Sequence, residues 1–222
     1  MDLKETIKLE FLEDISLDYE FILVDNSVFQ EILMSSSYSQ TDEGKLAHCH
    51  IQQKCIEFWK ENLQKYNNCY TIQGVLEELK KGTDYDYKEI IKRKCPPKKS
   101  PYLSKLRRTI RDVCKERSRL IRYLEDEGRI LKLNEKEQGL YKNLFEKYKK
   151  CGDYYGLSEV DFNLLISGAV VAQTREPSAI ISNDITGLAR TWNFFLKKEN
   201  ISREKFGFFV REDISLFRRL RV

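Results

Sequence analysis

Short apolar runs alternate along the chain with longer segments whose apolar residues recur at helical spacing. Four of these runs predict strands, at residues 19–25, 68–72, 178–184 and 205–213. The helical spacing predicts helices at residues 26–33, 45–66, 71–82, from 159 onwards, and 185–198. Strands alternating with helices in this order predict an α/β fold, with a parallel sheet as the middle of three α/β/α layers.

The pattern changes after the helix predicted at residues 71–82, for which Thr71 is the expected N-cap and Gly82 the C-terminal stop. From Thr83 to about residue 150 the sequence is charged and helical, with breaks at 95–101 and 125–135. We therefore predict one domain over residues 1–222 that carries a basic helical insertion at about 83–150.

Composition excludes several classes of protein. Hydrophobic residues make up 41% of the 222 residues and glycine and proline are scarce, which excludes disordered and fibrous chains. The longest apolar run, at residues 163–172, is shorter than the roughly 20 residues that span a bilayer. The first residues lack a secretory signal, and the six cysteines are irregularly spaced. We expect a soluble, cytoplasmic protein with reduced thiols and no membrane partner.

Four acids stand where predicted elements begin or end. Asp25 and Asp184 follow strands and precede helices, where an aspartate often caps free amides, and Asp161 forms a capping box with Ser158. Glu78, taken alone, is typical of a solvated helix face. Because parallel strands direct their carboxyl ends into one crevice, the four acids are also expected to meet. Such a cluster is self-repulsive unless a divalent cation binds, and oxygen ligands favour Mg²⁺ or Mn²⁺ and phosphodiester hydrolysis.

Four sequence blocks carry a resemblance to PIN-domain nucleases, which act mainly on RNA with Mg²⁺ or Mn²⁺. The blocks are "FILVDNSVF", "VLEELKKG", "LSEVDFNLLISGAV" and "AIISND". The resemblance implies a metal-dependent endoribonuclease whose metal-binding and catalytic residues are Asp25, Glu78, Asp161 and Asp184. It also implies that four small polar residues position water or phosphate, namely Asn26, Ser27, Ser182 and Asn183.

The sequence leaves alternatives open for one site residue and for the function. Glu77 competes with Glu78, because adjacent helix residues point about 100° apart and only one can face the site. A non-catalytic PIN-like RNA-binding or scaffold module is the alternative function. Zinc binding by the segment "HCHIQQKC" is disfavoured, since paired ligand motifs are missing, and no phosphate-binding glycine loop or serine elbow is present.

The insertion contains a cationic run without acids from Lys92 to Arg111, with Tyr102 inside it. Such a run suits contacts with RNA phosphates and bases, although a solvated charged helix has the same composition. The predicted RNA-binding residues are Lys98, Lys99, Lys105, Arg107, Arg108 and Arg111. The next segment is typical of an exposed helix whose apolar seam is a possible surface for a homodimer or protein partner, formed by Val113, Leu120, Ile121 and Leu124.

Overall fold

The computed structural model describes residues 9–29, 42–92 and 101–220. Its six strands are β1 (Leu9–Phe11), β2 (Phe21–Val24), β3 (Cys69–Tyr70), β4 (Ser178–Ser182), β5 (Phe206–Arg211) and β6 (Leu216–Arg219). They form one sheet in the order β1-β6-β5-β4-β2-β3. Strands β3, β2, β4 and β5 pair in parallel, whereas β6 and β1 are antiparallel to their neighbours. The α/β class is confirmed, but the prediction of a purely parallel sheet is wrong, because β5 turns back directly into β6.

The described residues form eight helices: α1 (Leu12–Asp18), α2 (Asn26–Phe29), α3 (Asp42–Lys65), α4 (Gln73–Lys92), α5 (Pro101–Asp126), α6 (Glu135–Tyr155), α7 (Glu159–Thr174) and α8 (Leu188–Glu199). Helix α7 is apolar on all sides and contacts β2, β4 and β5 as well as α6 and α8. An all-round apolar helix is expected where both faces are covered. The predicted helix at 26–33 is described only as far as Phe29.

Helix α4 differs from its prediction at both ends. It continues ten residues beyond Gly82, which is buried within it. Thr71 does not cap it, because the Thr71 hydroxyl donates to the carbonyl oxygen of Val24 at 3.0 Å and the Thr71 amide donates to Arg129 at 2.8 Å. A glycine costs a helix only about 1 kcal/mol relative to alanine, and packing of α4 against α5 offsets that.

The segment predicted as an insertion is packed into the hydrophobic core. Helix α5 contacts α3 and α4, and α6 contacts α7 and α8. The seam of Val113, Leu120, Ile121 and Leu124 is buried in these contacts, so the interpretation of this seam as a dimer surface is wrong. Arg117 and Asp86, both fully buried, form an ion pair at 2.7 Å between α5 and α4.

The cysteine thiols and the hydropathy of the helices can be compared with the expectations from the sequence. The cysteines whose side chains the structure describes have free thiols, as predicted: Cys49, Cys55, Cys69 and Cys114. In the described stretches no helix combines the length and the apolarity needed to cross a membrane.

The buried ion pair provides a test of how firmly α5 is integrated. Arg117→Met leaves the Asp86 carboxylate buried without its guanidinium, and should lower the free energy of unfolding by about 3–5 kcal/mol. Adding Asp86→Leu should restore much of this loss, since an apolar pair replaces both charges. Urea denaturation measures both effects. The control is Arg119→Met, which removes an exposed partner of Glu116 and should change stability by less than about 1 kcal/mol. Equal effects of the two single variants would contradict the prediction.

Candidate functional site

The candidate site lies at the carboxyl ends of β2 and β4. These strands are parallel neighbours, with Val24 opposite Ile181, and the Asp25 amide donates to the Ile181 carbonyl at 3.0 Å. The chain proceeds from β2 to β3 on one side, while β4 leads to β5 on the other. The crevice between β2 and β4 is therefore the point where the strand order reverses, which is where ligands bind in open α/β sheets.

Asp25 is held by hydrogen bonds from three neighbours. The Ser182 hydroxyl donates to Asp25 Oδ2 at 2.8 Å, the Ser27 hydroxyl donates to the same oxygen, and the Asn26 amide donates to Oδ1 at 2.6 Å. The side chain is only 3% exposed. Burial raises the pKa of Asp25 above its ordinary value, although these hydrogen bonds lower it. The two serines thus orient a carboxylate.

The two asparagines beside Asp25 each leave a side-chain oxygen open. Asn183 donates from Nδ2 to the Ser27 carbonyl at 2.9 Å and from its amide to Ser27 Oγ at 3.0 Å. The Asn26 side chain donates to Glu78. Within the described chain, Oδ1 of both asparagines is buried and lacks a hydrogen-bond partner. Buried amide oxygens without partners are acceptors for a water or ligands for a hard cation.

Helix α4 directs Glu78, and not Glu77, toward these groups. Glu77 is exposed and accepts a hydrogen bond from Gln73, whereas Glu78 is partly buried. Burial raises the pKa of Glu78, and the charges of Asp161 and Asp25 raise it further. The opposing influences are Lys81, one turn further along α4, and the hydrogen bond from Asn26. Glu78 is therefore electrostatically coupled to acids from two other segments.

Asp161 pairs with Ser158 at the start of α7 and lies within electrostatic range of Asp25 and Asp184. Its amide donates to Ser158 Oγ at 3.1 Å, and its carboxylate accepts from the Ser158 hydroxyl at 2.7 Å, so the predicted pairing of these residues is confirmed. Burial raises the pKa of Asp161 despite this bond, and the charges of Asp25 and Asp184 add to the rise. The capping role and a place in the cluster are compatible.

Asp184 uses both carboxylate oxygens at the start of α8. Oδ1 accepts from the amides of Thr186 and Gly187 at 3.0 Å, and Oδ2 accepts from the Leu188 amide at 3.0 Å. Gly187 permits this geometry, because a Cβ there would lie 2.8 Å from Asp184 Oδ2 and 2.8 Å from Leu157 Cδ2. Gly187 is a site residue that the sequence pattern did not predict. The feature of the sequence that could have indicated it is its position three residues after Asp184, the aspartate that follows β4.

The donor set suits Mg²⁺ or Mn²⁺ in chemistry, since it consists of carboxylate and amide oxygens. Among the residues that the structure describes, no three His, Cys, Asp or Glu side chains form a group able to hold a metal ion. A cation here would thus be bound through one or two carboxylates and several waters, which is the usual mode for Mg²⁺. On α3, burial raises the pKa of Cys49 to about 12, which disfavours the thiolate that zinc requires.

The predicted RNA-binding residues lie apart from the carboxylates along the chain. Lys98 and Lys99 fall outside the described residues. Lys105, Arg108 and Arg111 are exposed on α5, and Arg107 is partly buried.

Comparison with known proteins identifies no relative. No protein-family profile matches the chain, and neither a curated protein sequence nor a solved structure does. The resemblance to PIN-domain nucleases therefore rests on the four sequence blocks.

The raised carboxyl pKa values predict how stability depends on pH. A carboxyl whose pKa is higher in the folded than in the unfolded chain adds stability below the unfolded value of about 4, and this stability is lost as pH rises through the folded pKa. For Asp25, Glu78 and Asp161 the shift has this direction. The unfolding free energy of Asp25→Asn should therefore fall less between about pH 4 and pH 7 than that of the wild type. Urea denaturation in EDTA across this range measures the difference, and parallel curves would contradict it.

The cap on α8 gives a second prediction. Asp184→Ala removes every side-chain hydrogen bond to the amides of Thr186, Gly187 and Leu188 and should lower the unfolding free energy by about 1–2 kcal/mol. Asp184→Asn keeps one acceptor oxygen and should therefore lower the unfolding free energy by less than Asp184→Ala does. Thermal and urea denaturation provide the measurement. An alanine variant as stable as the wild type would show that the cap contributes nothing.

Proposed function

We propose that the protein is a Mg²⁺- or Mn²⁺-dependent endoribonuclease with a three-layer PIN-like fold, which hydrolyses phosphodiester bonds in RNA. The observation that supports it most is that neighbouring acids raise the pKa values of Glu78 and Asp161. Glu78 is affected by Asp161 and Asp25, and Asp161 by Asp25 and Asp184, although they come from four separate segments. Such repulsion without a matching group of cations is typical of a site that binds a divalent cation.

Asp25 is the first residue expected to hold the cation, with Asp161 or Glu78 as a second carboxylate. The open Oδ1 atoms of Asn26 and Asn183 would accept hydrogen bonds from its waters. When bound, the cation would lower the pKa of a water and neutralise charge on the phosphate.

The protein's own groups have separable roles in this proposal. The Asp25 carboxylate is held in one orientation by hydrogen bonds from Ser27, Ser182 and the Asn26 amide. Its oxygens are therefore positioned before the substrate binds. Glu78 is less buried than Asp25, and its raised pKa suits a carboxylate that accepts a proton from the attacking water. Asp161 and Asp184 hold the starts of α7 and α8 against the same crevice.

A non-catalytic RNA-binding module is the second candidate function. The observation in its favour is that the carboxylates of Asp161 and Asp184 already accept hydrogen bonds from the starts of α7 and α8. Both acids would be retained for folding even in a protein without catalytic activity.

Cleavage assays separate the two candidates. A circular RNA incubated with Mn²⁺ should be linearised, and EDTA should prevent this. Asp25→Asn and Glu78→Gln should each lower the rate by about 100-fold or more, because each removes a charged oxygen from the site. The matched control is Glu77→Gln, which removes the adjacent exposed carboxylate on α4 and should retain activity.

Folding of each variant is verified by thermal unfolding. Full activity of Asp25→Asn would overturn the assignment of the catalytic site. Loss of activity in Glu77→Gln, with Glu78→Gln still active, would assign the catalytic role to Glu77 instead of Glu78. RNA binding by the wild type without cleavage in either Mg²⁺ or Mn²⁺ would favour the non-catalytic module.

A further inference from the structure

One face of α5 is strongly cationic. At 3.6 residues per turn, six basic residues fall within an arc of about 120° around the helix: Arg107, Arg108, Arg111, Lys115, Arg119 and Arg122. The opposite face is buried in the core through residues such as Leu106, Val113 and Leu124. Along the sequence, acids alternate with bases in the second half of this helix, a pattern typical of an ordinary exposed helix. Around the helix, Asp112 and Glu116 lie outside the arc, whereas Glu125 and Asp126 come at the C-terminal end of α5, after the last of the six cations.

A groove with a volume of about 400 Å³ runs between this cationic face and α4. Helix α5 lines it with Arg111, Lys115, Arg119 and Arg122, and α4 lines it with Asp84 and Tyr87. Four cations therefore face a single carboxylate. A concave surface with such a balance concentrates the field of its charges on a bound anion.

The cations of the groove are largely without internal partners. Arg111 and Arg122 form no salt bridge with any described residue, and the only one of Lys115 is an exposed contact with Asp112 at 4.0 Å. Arg119 pairs with Glu116. The ion pair of Arg117 with Asp86 is fully buried and does not involve the exposed cations of the groove. At least three positive charges are thus available to a ligand.

The α4 side of the groove suits the other parts of a nucleotide. Tyr87 is 47% exposed, so its ring is accessible for stacking with a base. Asp84 provides a carboxylate that can accept a hydrogen bond from a ribose 2′-hydroxyl, the group that distinguishes RNA from DNA. Arg111 and Arg122 are about 16 Å apart along the helix axis, a distance that covers several phosphates at roughly 3.4 Å each along a stacked strand.

From these features we infer that the α4–α5 groove binds single-stranded RNA, with phosphates on Arg111, Lys115 and Arg122 and a base on Tyr87. Tyr87 follows Glu78 by nine residues, which places it on the opposite face of α4. The groove is therefore separate from the carboxylates, and it contributes affinity without taking part in hydrolysis. The inference rests on the proposed function in its choice of RNA, but binding there requires no metal.

Binding is measured in EDTA, so that cleavage does not interfere. A fluorescent single-stranded RNA of about 16 nucleotides is titrated with protein at several salt concentrations. The triple variant Arg111→Gln, Lys115→Gln, Arg122→Gln should bind about tenfold more weakly or worse, and its slope of log affinity against log salt should fall by about 2, at 0.7 for each lost phosphate contact. The matched control replaces three exposed lysines of α6 by glutamine, at Lys136, Lys142 and Lys150, and should retain the wild-type slope.

Two further measurements test the remaining parts of the groove. Tyr87→Ala should weaken binding with an unchanged salt slope, whereas Tyr87→Phe should bind like the wild type, because stacking needs only the ring. DNA of the same sequence should bind more weakly than RNA, and Asp84→Ala should reduce that difference.

The inference is overturned if the triple variant of the groove keeps the wild-type salt dependence, or if the α6 control loses as much affinity as that triple variant. It is also overturned if the wild type binds anionic lipid vesicles but not RNA. A protein that binds RNA through the groove but cleaves none in Mn²⁺ would support the groove and overturn the nuclease. If the wild type cleaves RNA in Mn²⁺ and the triple variant binds RNA as tightly as the wild type, the nuclease would be supported and the groove overturned.

Discussion

Strands β2 and β4 are distant in sequence, and their parallel pairing positions most of the candidate site. Ser182 lies 157 residues from Asp25, yet its hydroxyl donates to the Asp25 carboxylate at 2.8 Å because Val24 and Ile181 are in register. A slip of one residue would turn every side chain of β4 to the other face of the sheet. All five β4 residues are buried, so such a slip would disrupt close packing on both faces of the sheet, and the hydrophobic core thereby maintains the polar site at its edge.

The site places charge where burial disfavours it. Burial raises the pKa of Asp25, Glu78 and Asp161, and the charges of neighbouring aspartates add to the rise for Glu78 and Asp161. Hydrogen bonds from Ser27, Ser182 and Ser158 offset part of this penalty. Stability and a concentration of negative charge are in conflict here, a conflict that is common at functional sites and that a bound cation would relieve.

Helix α4 connects the two surfaces for which functions are proposed. Glu78 lies on the face of α4 near the carboxylates, and Tyr87 lies on the opposite face in the groove with α5. The buried pair of Arg117 and Asp86 and the apolar contacts of α5 hold these helices together. Because one continuous helix carries both residues, their separation along the axis is set at about 1.5 Å per residue. The helices between residues 83 and 150 are thus part of the core and not an appendage.

The sequence by itself determined the α/β class, the central strands, the start of α7, and the acids that follow β2 and β4, since apolar spacing and capping residues are local signals. Helix α8 begins at Leu188, three residues after its predicted start. The sequence did not reveal β1 and β6, because each of these strands buries only one residue and so lacks the continuous apolar run of β2, β4 and β5. Nor did it show that α4 continues through Gly82, where packing on α5 outweighs local propensity. The choice of Glu78 over Glu77 and the groove between Tyr87 and Arg111 depend on which helix faces meet. Only the tertiary structure decides this, because such contacts join residues that no local pattern relates.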